Sequence, residues 1–368
     1  MIASRLTRSK RLAKRVLLEA ATHVARLRDT SGGPTVLVFP TGSTADPASN
    51  LRAYLAAPEL RRLGWRVVIV PPPMNLAQRQ RLVRLEKPDV IFMQQTRHLL
   101  NRPKLYAPVP VVLDADDADY VDPGIHDMIV ESATDAAAVV GGSRFVAECL
   151  GRHNPDASVI WTCTPTPTTA PRLPSGDRPP IVAWAHGAPL TYVKEAALMQ
   201  EVMIRVAERM PFTFWLFGTR IDDGDEWLKP LRRAGASCTC IPMLDYESYL
   251  AKVAEAAVGV QPVCIDNEFS RGKSFGKVLA YLAGDVAVVA SAVVDHPLFF
   301  EHNQDGMLVG DSPSDWVASI HALLADPALR GQMVARARAQ FLQRLTMPAF
   351  ARLLDPILRR AAGLKPAA

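Results

Sequence analysis

The chain has 368 residues, 49% hydrophobic and 21% charged, which is too long for one ordinary core and too apolar for a disordered chain, so two well-packed domains are expected. A net charge of +5 is too mild to mark a nucleic-acid binder. The five cysteines, Cys149, Cys163, Cys238, Cys240 and Cys264, show neither a disulfide framework nor a zinc-binding spacing, and read as reduced thiols of a cytosolic protein.

Charge is concentrated at the start. Residues 1–28 carry eight Arg or Lys against one acid, Glu19, with Leu6, Leu12, Val16 and Leu17 at roughly helical spacing. No apolar run there reaches the 18 or so residues that cross a bilayer. Residues 1–30 therefore read either as a basic amphipathic helix lying on an anionic membrane surface, peripheral at its inner face, or as a solvated surface helix.

Strand-like and helix-like segments then alternate. TVLVFP (35–40), WRVVIVPP (65–72), DVIFMQQ (89–95), PVVLDADD (110–117) and AAAVVGGS (136–143) are short, continuously apolar and rich in β-branched residues, as strands buried on both faces of a parallel sheet are. Helical stretches such as LRAYLAAPELRRLG and LAQRQRLVRLEK lie between them. Residues 31–165 thus predict a doubly wound α/β domain. Its first loop, TGSTADP, is not a P-loop because no G-K-[ST] follows. Ser43 in that loop and Arg52 at the start of the next helix are candidates to grip an acceptor, although an ordinary surface arginine fits Arg52 equally.

CTPTPTTAPRLPSGDRPP (163–180) holds six prolines and no periodicity, so 166–180 is expected to be a linker. The alternation restarts over 181–345 with IVAWAHG (181–187), FTFWLFG (212–218), ASCTCIPM (236–243), AVGVQPV (257–263) and VAVVASAV (286–293). Two such domains leave a cleft, and ligands of these sheets bind beyond the carboxyl ends of the strands. A last helical stretch, 348–363, is expected to cross back to the first domain.

The densest chemical signal is SRGKSFGK (270–277). It follows a strand end and opens a helix that Ser274 is placed to cap. A helix start presents unpaired N–H groups and partial positive charge, and Arg271, Lys273 and Lys277 add full charges, so a phosphate or diphosphate is the expected guest.

DNEFSRGKSFGKVLAYLAGDVAVVAS with the later NQDGMLV resembles the donor segment of GT-B glycosyltransferases of the retaining family four (group 1). VVLDADDAD, VIWTCTPTP, IVAWAHGAPLTYVK and LDYESYLAKVAEAAVGVQPV resemble further elements of that family in the same order. The resemblance implies two Rossmann-like domains facing a cleft in the GT-B manner. It also implies hexosyl transfer, with retention, from a nucleotide-diphosphate sugar to a glycan, a lipid-linked sugar or a cell-surface polysaccharide. Its glycine turn maps to His186, Gly187 and Ala188, and its basic pair to Arg271 with Lys273 or Lys277. Arg220 falls where the nucleotide base is often held. Cations replace a metal at the leaving diphosphate, so no metal or other cofactor is expected. Asp116 or Asp117 is the candidate base that orients an acceptor hydroxyl, or DADDAD is an acidic loop without catalytic duty.

The sequence departs from the family in its two glutamates, whose positions fall on Gly272 and Ala280; Glu268 or Asp266 in the same loop is the candidate replacement. That departure keeps two other readings open: a catalytically silent GT-B protein that binds glycan or supports a partner enzyme, and a sugar-nucleotide epimerase or hydrolase. His98, His126, His296 and His302 form no nucleophilic arrangement.

Overall fold

The computed structural model describes residues 16–22, 32–94, 98–167 and 173–365. Of the basic amino-terminal segment, residues 16–22 are helical and the remainder lies outside the described residues. Val16 and Leu17 are exposed, whereas Glu19 takes an ion pair from Arg81 at 2.7 Å and a bond from Gln78 at 2.8 Å. Among the described residues no helix is long and apolar enough to cross a membrane.

The alternating pattern yields two sheets of six parallel strands. The first runs β2-β1-β3-β4-β5-β6, with β1 Thr35–Phe39, β2 Arg66–Ile69, β3 Val90–Gln94, β4 Val111–Ala115, β5 Ala138–Gly141 and β6 Ala157–Val159. The second runs β12-β11-β10-β7-β8-β9, with β7 Ile181–Trp184, β8 Thr213–Phe217, β9 Ser237–Ile241, β10 Val258–Gln261, β11 Ala287–Ser291 and β12 Met307–Val309. In both, the first strand lies inside the sheet, so the winding direction reverses between β1 and β3 and between β7 and β10. Loops diverge at such a reversal and leave the strand ends accessible, which is where ligands of open α/β sheets bind.

Strand composition follows from burial on both faces. Along β8, Phe214 and Leu216 join the apolar cluster of Trp184, Met199, Met203 and Trp316, while Trp215 and Phe217 join that of Tyr281, Leu282 and Phe341. A strand that feeds two cores at a period of two has no polar side to show. β6 departs from this rule: it is a three-residue edge strand, half-exposed, whose last residue, Val159, opens the VIWTCTPTP stretch.

The chain divides into two compact units, one holding the residues up to Ile160 and from Phe350 onward, the other Trp161–Ala349. The last helix, Met347–Ala361, packs on the first unit through Trp65, whose indole N–H donates to Asp355 at 2.6 Å, and through Arg359, which donates to the Leu63 carbonyl at 3.0 Å. The expected linker over 166–180 belongs to a proline-rich segment that begins at residue 163. Its described parts are fixed to the second unit: Thr164 bonds the Leu345 carbonyl and the Tyr246 hydroxyl, and the buried Arg178 bonds the carbonyls of Ala256 and Asp285. Prolines lack N–H donors, but Thr164 and Arg178 supply donors that dock the described parts of the segment, and the change of unit falls at Ile160–Trp161.

Candidate functional site

The turn after β7 is built from below. Tyr281, on the helix Leu279–Ala283, accepts the Ala185 N–H at 2.7 Å and places its hydroxyl 3.0 Å from the carbonyls of Ala183 and Val260. Burial holds this phenol protonated. Tyr249 donates to the Ala185 carbonyl at 3.3 Å. Two glycines permit this packing: a Cβ at Gly259 would lie 2.3 Å from the Tyr281 ring, and one at Gly218, where φ is +76°, would lie 1.9 Å from the His186 carbonyl. The His186–Ala188 turn is therefore rigid before any ligand arrives.

His186 is buried, and its Nδ1 accepts the Ala188 N–H at 3.1 Å, which leaves the proton of the neutral ring on Nε2. Burial, then Lys277, then Lys273 lower its pKa to about 2. The ring meets Tyr192 edge-on at 4.7 Å, and the other side of that contact is a cation: Lys273 Nζ sits 3.5 Å from the Tyr192 ring centroid. Lys273 also lies 3.9 Å from Glu195 Oε1, and that carboxylate accepts the Cys264 N–H at 3.1 Å. Burial, with Glu195 next, pushes the Cys264 thiol up to about 11, so it is no nucleophile at neutral pH.

His186, Lys273 and Lys277 are thus brought together with Gly187 and Ala188 at the carboxyl end of β7. Lys277 is exposed on the 3-10 turn Phe275–Val278 that precedes the helix. Ser274 occupies the N-cap position of that turn but makes no side-chain capping bond, which corrects its expected role; the tighter turn takes the place of a regular first helical turn. Arg271 and Glu268 are exposed at the two ends of the short helix Glu268–Arg271, which Asn267 and Ser270 close by a reciprocal capping box. Arg220 is 84% exposed at the N-cap of the helix Ile221–Arg233, 3.9 Å from Asp223. The two positions that the resemblance assigns to glutamates are buried: Gly272 caps the short helix, and Ala280 lies in the apolar cluster around Tyr281.

The first unit overturns a second expectation. Arg52 is wholly buried, its Nε 2.9 Å and its Nη2 2.5 Å from the Asp114 carboxylate, its Nη1 donating to the Ile160 carbonyl at 3.0 Å, and its guanidinium over the Phe350 ring. Every face of the fork is used, so Arg52 cannot grip an acceptor. Burial raises the Asp114 pKa and Arg52 opposes that rise. Asp116 is buried 3.6 Å from Arg52, and its backbone and carboxylate crowd Gly142, where a Cβ would meet them at 2.2 to 2.6 Å. It stands as a second acid beside the buried arginine. Asp117 is half-buried, and Ser43 is exposed with its hydroxyl accepting the Ala45 N–H. Among the described residues no group of three His, Cys, Asp or Glu side chains is arranged to hold a metal.

Sequence reasoning missed Tyr192 and Glu195. In Y-V-K-E the charged pair reads as an ordinary first helical turn, and only the glycine turn just upstream signalled that this turn borders a ligand.

Residues 198–354, within the second unit and the start of the last helix, match a family model described as glycosyl transferase-like. No curated protein matches the chain. The fold is similar to that of Anabaena HepE solved with UDP and glucose, at 14% identity, covering 89% of this chain and 100% of that one with a TM-score of 0.61. It is also similar to sucrose-phosphate synthase from Thermosynechococcus elongatus, at 15% identity over 89% and 98% of the two chains with a TM-score of 0.65. A glycosyltransferase from Rickettsia africae is similar at 10% identity over 90% and 99%, with a TM-score of 0.69. The chain has the GT-B fold, and its second unit carries the glycosyl transferase-like sequence signature.

Proposed function

We propose that the protein is a glycosyltransferase whose second unit binds the diphosphate of a nucleotide sugar. The observation that carries this reading is the convergence of Lys273, Lys277 and the neutral His186 on one rigid turn at the end of β7. Departure of a nucleoside diphosphate builds negative charge on the phosphate oxygens, and prearranged cations and N–H donors stabilise it as it grows. The two lysines supply the charge, and His186 donates a neutral N–H from Nε2. This is work that a divalent cation does in other phosphate sites, so transfer is proposed to need no added metal. The UDP and glucose held by HepE, a protein of the same fold, fit the same class of donor. Transfer with retention to a carbohydrate or glycolipid acceptor, in a cytoplasmic protein with its basic amino-terminal segment on an anionic membrane surface, completes the proposal.

A second reading is favoured by one observation. Ala280 is buried among apolar side chains, so no carboxylate reaches a ribose from that helix, as suits a GT-B protein that binds a sugar nucleotide or glycan without transferring. Calorimetric titration with UDP, GDP, UDP-glucose and GDP-mannose tests the first reading, with binding expected at micromolar to submillimolar concentration; no binding at millimolar concentration overturns it. Release of nucleoside diphosphate from the bound donor, with and without EDTA, separates transfer from silent binding.

A further inference from the structure

Glu195 is an odd neighbour for a diphosphate. It is a buried carboxylate on the first turn of the helix Val193–Ala207, beside the lysine that the proposed function places on the phosphates. A negative charge there lowers the potential that attracts an anion and carries the cost of burial besides. Its partners within the protein are few. Oε1 accepts one N–H, from Cys264, and faces the Lys273 ammonium at 3.9 Å, beyond hydrogen-bond length; Oε2 makes no hydrogen bond among the described residues and is reached by solvent. An ionised carboxylate has about four lone-pair directions to fill, so most of its capacity is open.

The open capacity borders the ligand groups. Lys273 is held in place by the Tyr192 ring at 3.5 Å, and Tyr192 touches His186, so Glu195, Lys273 and the His186 turn form one continuous wall. The ligand groups able to satisfy an acceptor-only side chain are hydroxyls, and a nucleotide sugar has them on its sugar and on its ribose, at either end of the diphosphate. We propose that Glu195 is the residue by which this site recognises a donor hydroxyl, while its Oε1 positions Lys273 and the Cys264 backbone for the diphosphate. The proposal rests on the diphosphate reading of the same site. It makes two contributions of opposite sign at one residue: Glu195 weakens the grip on bare phosphate and strengthens the grip on the hydroxylated donor.

Glu195→Gln tests this with little risk to folding, because the amide oxygen still accepts the Cys264 N–H while the second position becomes a donor and the charge is lost. The probes are inorganic pyrophosphate, UDP and UDP-glucose, with GDP and GDP-mannose run in parallel, each titrated into wild type, Glu195→Gln and Lys273→Ala, with thermal melting as the check on folding. Glu195→Gln is expected to bind pyrophosphate as well as wild type or about two- to fivefold more tightly, through loss of a repelling charge. It is expected to bind the sugar nucleotide roughly ten- to a hundredfold more weakly, through loss of a charge-assisted hydroxyl bond. If UDP keeps its affinity, the hydroxyl belongs to the sugar; if UDP weakens in step with UDP-glucose, it belongs to the ribose. Parallel weakening of all probes, pyrophosphate included, marks Glu195 as a structural prop and overturns the proposal, as does unchanged binding of all of them. If Lys273→Ala leaves pyrophosphate binding intact, or wild type binds none of the probes, the diphosphate reading itself fails and this proposal falls with it.

Discussion

The pair Arg52–Asp114 and the pair Lys273–Glu195 have the same charges and stand at strand ends of their sheets, yet they are built for different ends. In the first unit the guanidinium fork is filled: two contacts to one carboxylate, a third to the Ile160 carbonyl, and an aromatic ring on its face. In the second unit the ammonium and carboxylate stop 3.9 Å apart, with a tyrosine under the lysine and unused acceptor capacity on the glutamate. The bidentate pair is closed by its own contacts, whereas the looser one sets its lysine and glutamate beside the His186 turn without direct hydrogen bonding between them.

The largest way to break this contrast is to cut the saturated pair. Arg52→Ala leaves Asp114 buried without its counter-charge, and is expected to destabilise the first unit by about 3–5 kcal/mol, the usual cost of breaking one side of a buried ion pair. Urea unfolding at neutral pH measures it. An effect below about 1 kcal/mol would place Arg52 with the surface cations after all.

Acid sharpens the contrast next. His186 and His296 are both buried and neutral, the first lowered to about 2 chiefly by burial and the second to about 4 by burial, despite its Nδ1 contact at 2.8 Å to the Ser291 carbonyl. Unfolded histidine takes up a proton near pH 6.5, well above both folded values, so the unfolded chain binds more protons as pH falls. Stability is therefore lost on acidification from about pH 6.5, with both histidines contributing down to about 4 and His186 alone below that. These two rings contribute about 2 kcal/mol of loss per pH unit between pH 6 and 5, and His186→Gln should remove about half of that share; His98, also lowered by burial, adds to the total. Unfolding curves from pH 7 to 5 give the slope directly, and a flat profile would show that these rings are not buried as described.

How much of this was legible in the sequence depended on whether partners were local. The strands of both sheets could be read because a continuous apolar run carries its own burial, while β6, an Ala-Ser-Val edge strand that is half-exposed, carried no such signal. The cationic turn could be read because its charges lie within eight residues and follow a strand end. Arg52 could not, since a buried guanidinium and a solvated one look alike until the partners appear, 62 and 108 positions away. Glu195 was hidden in the same way, its N–H donor lying 69 positions further on. The proline count at 163–180 describes local stiffness and says nothing of the donors on Thr164 and Arg178 that dock the segment.

The looser pair in the second unit should behave in reverse to the closed one in the first. Lys273→Ala removes a largely covered ammonium and its contact with Tyr192, which is worth roughly 0.5–1 kcal/mol to folding. The same change removes a charge-assisted contact to the diphosphate, so UDP affinity is expected to fall about ten- to a hundredfold, while uridine, which lacks phosphate, is unaffected. Titration of both ligands beside a melting curve checks the two halves together. A variant that melts far below wild type yet binds UDP normally would exchange the roles of the two pairs.

The smallest expected effect belongs to a cation that is held in neither way. Arg220 stands at the end of β8, in the row of strand ends that also contains the His186 turn, but it is 84% exposed and its nearest acid, Asp223, is 3.9 Å away on the adjoining helical turn. An exposed pair at that distance gains little from Coulomb attraction in water, and the freedom of a long side chain opposes even that gain. Without a covering wall, a guanidinium on a flexible stem has no fixed position from which to favour one nucleotide base over another. Arg220→Ala is therefore expected to leave the melting temperature unchanged and to alter UDP and GDP affinity by less than about twofold, the scale of an ordinary surface substitution. A loss of tenfold or more for one nucleotide and not the other would show that exposure in the unliganded chain does not predict which charges bind, and that a ligand can supply the enclosure that Lys273 obtains from Tyr192 and Glu195.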